Sequence, residues 1–236
     1  VNDLAAQAEE FAAEVTATIQ STLRGAQPEV VATVLEDRLD VKTASPIELR
    51  VNNEPVIQLS CRWACELDHR GEYLSVASSE FEVRVVNHRE PILRFEFRRD
   101  PAGAIPTAHL HVHAERSAVG WVVGKGGEST GRARRRVDSA RRAALSDIHL
   151  PVGGSRFRPA LEDVLQMLID EFGVDTADGW HTNLEDGREK WRRKQLRSAV
   201  RDSPREAADV LRRMGYEVYV PDNGEPADRV DKLRKP

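Results

Sequence analysis

Three of the chain's seven histidines fall on alternate residues, His109, His111 and His113, in the stretch AHLHVHAE (108–115). Imidazole titrates near ~6.5, so such rings can take or give a proton at neutral pH. Alternate residues of a strand share one face, which places the three rings on one side and Leu110 and Val112 on the other. If neighbouring segments pair with this one and keep their apolar sides together, the histidine side also receives Arg94, Glu96 and Arg98. It further receives Arg62, Glu66, Glu82, Arg84 and His149. Guanidinium groups hold phosphate oxygens and stabilise charge that develops in a transition state. A carboxylate beside an imidazole fixes its tautomer. The candidate catalytic set is therefore His109, His111, His113, His149, Arg94 and Glu96, and the chemistry it fits is acid–base or nucleophilic work on RNA or a nucleotide phosphate. No metal or other cofactor is required in that reading. Two alternatives stay open. Alternate histidines on a strand can share one ion, with His149 or Glu96 completing the shell. Alternatively, the face is the ordinary wet side of a one-sided antiparallel sheet.

The string H-x-H-x-H with apolar spacers resembles the histidine-triad nucleotide hydrolases and transferases. That resemblance implies phosphorus attack by the middle histidine, here His111. It is confined to the motif, because AGAIPTAHLHVHAE has no Gly-Gln step before the histidines and carries Glu115 where that family prefers an apolar residue. The fold of that family is not implied.

Two basic stretches offer a second kind of chemistry. GRARRRVDSARRA lies in 117–146, read as a Gly- and Arg-rich excursion between strands that could fold over an anionic ligand. GKGGEST within it is not a phosphate-binding P-loop, since no Ser or Thr directly follows Lys125. GREKWRRKQLRSAVRD predicts a basic helix that buries Trp191, Leu196 and Val200 and offers Arg192, Arg193, Lys194 and Arg197 to nucleic acid. With SPREAADVLRRMG after it, the pair resembles a helix-turn-helix.

The elements that must hold these residues are set by periodicity. Leu4, Ala8, Phe11, Val15, Ile19 and Leu23 recur at helical spacing, and a second helix is expected from Pro28 to about Leu39. These form an N-terminal helical region, 1–40. Residues 41–55 read as a linker with a short strand at 47–51. The period then becomes two: strands over 57–67, 81–85, 93–97 and 108–114, joined by short turns, predict an antiparallel meander. DIHLPVGG adds a fifth strand. RPALEDVLQMLIDEFG predicts a core helix over 158–172, opened by Pro159, closed by Gly173 and striped by Leu161, Val164, Leu165, Leu168, Ile169 and Phe172. Residues 41–175 thus make the sheet domain. Residues 176–220 hold the basic helices, with TNLE and SPRE as capping boxes, and YEVYV as a short last strand. The polar tail 221–236 is expected to fray. The predicted fold is α+β: an antiparallel sheet of about five strands with N- and C-terminal helices on its apolar face.

Composition sets the bounds. The chain has 236 residues, 40% hydrophobic and 31% charged, with mean hydropathy −0.52 and net charge −4, which suits a globular domain and gives no global pull toward nucleic acid. Cys61 and Cys65, on the core side of one strand, read as buried thiols of a reducing compartment. Neither a membrane span nor a signal-peptide pattern is read, so a cytoplasmic location is expected. The dominance of Arg over Lys, with abundant Ala, Val and Asp, points to a GC-rich bacterial genome. The leading expectation is a bacterial cytoplasmic protein acting on RNA or a nucleotide phosphate, in a setting like toxin–antitoxin or defence systems. The alternative is a non-enzymatic module that binds nucleic acid or a protein partner through the basic helices. No membrane partner is expected, and the oligomeric state is open.

Overall fold

The computed structural model describes residues 4–35, 38–67, 74–102, 105–113, 150–152 and 154–234. Among them the chain forms an α+β fold built on one antiparallel sheet of eight strands. Helix α1 (Leu4–Thr22) comes first. The strands are β1 (Val30–Leu35), β2 (Arg38–Thr43), β3 (Ile47–Val51), β4 (Glu54–Leu67), β5 (Leu74–Val85), β6 (Pro91–Arg98), β7 (Ala108–Val112) and β8 (Leu150–Pro151). After them come α2 (Gly154–Phe157), α3 (Leu161–Phe172), α4 (Trp180–Asp202), α5 (Pro204–Arg213) and α6 (Val230–Leu233). The sheet order is β1-β2-β4-β5-β6-β7-β8, with β3 also paired to β4.

The sheet is larger than the five strands expected, chiefly because residues 30–35 and 38–43 are strands and not helix. They form a hairpin, with Val30 opposite Thr43 and Leu35 opposite Arg38. Val30, Val31, Thr33 and Val34 explain the difference: β-branched side chains lose χ1 freedom in a helix and fit a pleated surface. The strand at 47–51 exists, and it runs into a tight turn rather than a linker. Asn52 and Asn53 both take positive φ, 53° and 67°, the conformation of a two-residue hairpin turn. The Asp175 carboxylate accepts hydrogen bonds from both of their amides, at 3.1 and 2.7 Å.

The meander from β4 to β7 keeps the expected alternation. Cys61 lies opposite Phe81, Phe81 opposite Phe95, and Phe95 opposite Leu110, so the apolar sides run continuously across four strands. An extra residue, Ala77, interrupts the β4–β5 ladder between Cys65–Val76 and Ala64–Ser78 without moving Cys65 or Trp63 off the core side. Over this face lie α1, through Ala8, Ala12, Val15 and Ile19, and α3, through Leu161, Val164, Leu165 and Leu168. Trp63 sits at the centre, edge-on to Phe11 and to Phe81. Burying such a large ring stabilises the core by several kcal/mol, on the order of 3–5 by comparison with truncations elsewhere. Both thiols are free and buried; burial raises Cys61, and burial with nearby Asp40 pushes Cys65 up to about 12.

Helix α3 ends as expected at Gly173, with φ 66°, and the Asp163 carboxylate accepts from the Ala160 amide at its start. Phe172 departs from the predicted stripe and is exposed. Helix α4 crosses α3 where Gly187 meets Glu162; a Cβ at 187 would stand 2.7 Å from Glu162 Oε1. The C-terminal expectations need more correction. Helix α4 starts after Gly179, so TNLE lies inside it and caps nothing. Ser203 precedes α5 but makes no side-chain capping bond; its hydroxyl contacts Asp228. YEVYV is not a strand and pairs with none among the described residues. The tail is tied down: the Arg229 amide donates to the Asp202 carbonyl at 2.7 Å, and the buried Asp202 carboxylate also pairs with Arg156. The expected excursion 117–146 lies outside the described residues; of the strand DIHLPVGG after it, β8 is the described part. Among the described residues no helix is long and apolar enough to cross a membrane.

Candidate functional site

The polar side of β6 and β7 brings four of the six predicted residues together. Register sets them there: Arg94 lies opposite His111, and Glu96 opposite His109. Glu96 is the hub. Arg94 Nε stands 2.7 Å from Oε1 as an ion pair without the alignment of a hydrogen bond, and Arg98 stands 3.5 Å from Oε2. His109 Nε2 lies 3.4 Å from Oε2, and His111 Nε2 3.7 Å from Oε1. The two rings are edge-to-face with centroids 5.0 Å apart. Both rings present Nε2 to the same carboxylate.

This face is not wet at β7. His109 is 1% exposed, His111 5% and Glu96 8%. The reading of these rings as a solvated outer face is therefore overturned, since a solvated face would leave them open to water. Arg94 and Arg98 mark the open side, with side chains 30% and 59% exposed. Burial pushes the Glu96 carboxyl up. The neighbouring His109 and the charges of Arg94 and His111 outweigh that, and hold it at about 2.

A backbone contact fixes His109 further. Its Nδ1 lies 3.0 Å from the Pro106 carbonyl oxygen, which can only accept, so Nδ1 carries the proton and donates. The nitrogen facing Glu96 is thereby left to act as a lone-pair donor in the neutral ring. The loop before β7 thus sets the chemistry of the strand.

The remaining predicted residues separate. His113 lies just beyond the end of β7, half-buried, its amide donating to Ile92. It is not part of the Glu96 group of ligand atoms. His149 lies outside the described residues. Farther along the same face, Arg62 pairs with Asp40, Arg84 with Glu82, and Glu66 with Arg99. These ion pairs make the distant part of the face a charge ladder.

Glu80, beside the site, and Arg158, stacked on the core-side Phe97, are not among the predicted residues. Glu80 sits directly opposite Glu96 on β5, and burial together with the Glu96 charge raises its carboxyl. The alternation that places Glu82 on this face also places Glu80 there, so the sequence carries the signal. Arg158 is buried with its guanidinium 3.7 Å above the centroid of the Phe97 ring and 5.5 Å from that of Trp191. Burial, with Arg156 and Arg99 nearby, lowers it to about 9. Nothing in the local sequence marks it.

On α4 the predicted nucleic-acid residues Arg192, Arg193, Lys194 and Arg197 are all exposed. Arg193 pairs with Glu189, Lys194 with Glu14, and Arg188 with Asp163. Arg192 and Arg197 have no ion pair among the described residues. Leu196 and Val200, expected to be buried, are exposed.

Comparison with known proteins adds no relative: no family model, no curated protein and no solved structure matches the chain.

Proposed function

We propose that the protein acts on a phosphate-bearing substrate, RNA or a nucleotide, at the polar side of β6 and β7. One observation carries this reading: a single buried carboxylate, Glu96, gathers two imidazoles from the neighbouring strand β7 and two guanidiniums from its own strand β6. Arg94 and Arg98 reach solvent and would receive the anionic group, where paired N–H donors suit phosphate oxygens. His111, held beside Glu96 but with less of its ring enclosed than His109, would take or deliver the proton at the reacting oxygen. His109, anchored by the Pro106 carbonyl, positions Glu96 and so orients the group. A cytoplasmic, bacterial setting is proposed with it, supported by the two free buried thiols and the Arg-rich composition.

The test is turnover of single-stranded RNA and of nucleoside phosphates by the full chain, beside His111→Asn. Loss of one acid–base group costs on the order of 10²–10⁴ in rate, and we expect that loss with folding retained. Absence of both binding and turnover on all phosphate substrates would overturn the proposal, as would an unaltered rate in the variant.

A second reading has its own observation. The pair α4–α5 leaves Leu196, Val200, Val210, Leu211 and Met214 exposed beside Arg192 and Arg197. A mixed apolar and basic surface of that kind suits a non-enzymatic interaction module.

A further inference from the structure

We infer that Glu96, His109 and His111 form the three-ligand site of a divalent transition-metal ion. Each offers one ligand atom, and the three atoms lie within 4.8 Å of one another. The imidazole nitrogens face the carboxylate at 3.4 Å, from His109 Nε2 to Oε2, and at 3.7 Å, from His111 Nε2 to Oε1. The first is the spacing of two ligands on one ion, because metal bonds of about 2.0–2.2 Å at tetrahedral angles separate the donors by roughly 3.4 Å, and a small turn of the carboxylate brings one oxygen to both rings. The tautomer agrees. With Nδ1 of His109 donating to the Pro106 carbonyl, Nε2 is the ring nitrogen left to bind an ion in the neutral ring. The imidazole-to-carbonyl bond is also the outer contact that orients and strengthens a metal-bound histidine.

The donor set narrows the ion. Two imidazoles and one carboxylate suit zinc and its neighbours in the first transition row, whereas calcium and magnesium favour all-oxygen shells. Three protein ligands on a four-coordinate ion leave a position open, the arrangement of a catalytic rather than a structural site. Arg94 would release Oε1 as the ion binds. Its Nε is close but poorly aligned for a hydrogen bond, and its side chain reaches solvent. Freed, the guanidinium can join Arg98 in holding an anion beside the open position. This deepens the phosphate reading, since an ion there would polarise a phosphoryl oxygen. The site itself does not depend on that reading.

The experiment therefore measures the ion without substrate. The full chain, stripped with chelator and dialysed, is titrated with Zn²⁺ by calorimetry, and its metal content is counted by mass spectrometry. One equivalent per chain is expected. Glu96→Gln and His111→Gln should each weaken binding by on the order of 100-fold or more, above the roughly 10–100-fold that loss of an outer contact costs. Because a buried substitution can unfold the sheet, Co²⁺ is also added to the unaltered chain. Visible absorption of a four- or five-coordinate ion, abolished by one equivalent of Zn²⁺, is expected. No saturable binding, no such absorption, or one-to-one binding unchanged in both variants would each overturn the inference. Zinc bound as expected without turnover of any phosphate substrate would instead overturn only the phosphate reading.

Discussion

The two cation-rich regions of this protein, the β6–β7 face and helix α4, handle charge in opposite ways. On the sheet, Arg94, Arg98, His109 and His111 converge on one carboxylate. On the helix, Arg188, Lys190, Arg193 and Lys194 are parcelled out to Asp163, Glu14 and Glu189, and Arg192 and Arg197 face water. Geometry makes the difference. Opposite residues of antiparallel strands bring their Cβ atoms to roughly 4.5–5.5 Å, so four side chains can meet over one point. Successive helix residues turn by about 100°, so a run of basic residues is spread around the axis. A cluster of charge in sequence is therefore weaker grounds for a site than charge placed at alternating positions on paired strands.

The sharpest way to break the comparison is to remove the hub. Glu96→Ala leaves Arg94 and two enclosed imidazoles without their carboxylate. Urea denaturation near neutral pH should show a loss of about 3 kcal/mol, the low end for breaking a buried pair because Arg94 can turn outward. A loss no larger than that of a surface substitution would mean that the four groups do not act together.

A smaller effect is expected where charge is distributed. Burial raises the Glu14 carboxyl, but Lys190 and Lys194 pull it below its ordinary value of 4.5. A depressed carboxyl stabilises the folded chain above its unfolded value, and that contribution is lost as the pH falls through the folded value. Glu14→Gln should cost less than about 1 kcal/mol at neutral pH, since the lysines are more than half exposed, and less still in high salt. The difference should shrink as the pH drops below 4.5. A cost that is undiminished in acid would contradict the assignment.

The smallest effect on stability is expected from R192E/R193E, within about 0.5 kcal/mol. This pair instead separates the functional readings. If α4 is the working surface, nucleic-acid affinity falls and its salt dependence flattens while His111→Asn leaves it intact. Binding unchanged by the arginine pair would remove the nucleic-acid form of the interaction reading.

Alternation makes much of the sheet legible from residue order alone. Cys61, Trp63, Phe81, Phe95 and Leu110 fall on one face, and Arg94, Glu96, His109 and His111 on the other, because a strand's period of two leaves only two choices. Residues 30–43 mislead because Val31, Val34 and Leu35 also fit a helical stripe. Only their β-branching argues otherwise, and the structure pairs Leu35 with Arg38. The enclosure of His109 and His111 is illegible for a different reason. Periodicity says which side chains share a face, but not whether that face is covered. The Pro106 contact is hidden too, since it depends on how a loop bends rather than on any residue type.

One junction in the sheet carries a consequence for how this chain can change. Strand β5 pairs with β4 from Ile57 to Leu67, so β2, whose Leu39–Lys42 lie opposite Arg62–Cys65, and β3, whose Ile47–Val51 lie opposite Glu54–Leu59, run end to end along the other edge of β4. Between them the Cys61 amide donates to the Thr43 hydroxyl at 3.2 Å, and the hydroxyl reaches the Cys61 carbonyl at 3.5 Å. A side chain closes the seam that a ladder would otherwise close. Strand β3 takes its register from β4, and β2 takes its own from β4 and β1, so the turn at 44–46 fixes neither. Residues gained or lost in that turn over generations would leave both pairings, and the placement of Glu96 two strands away, as they are.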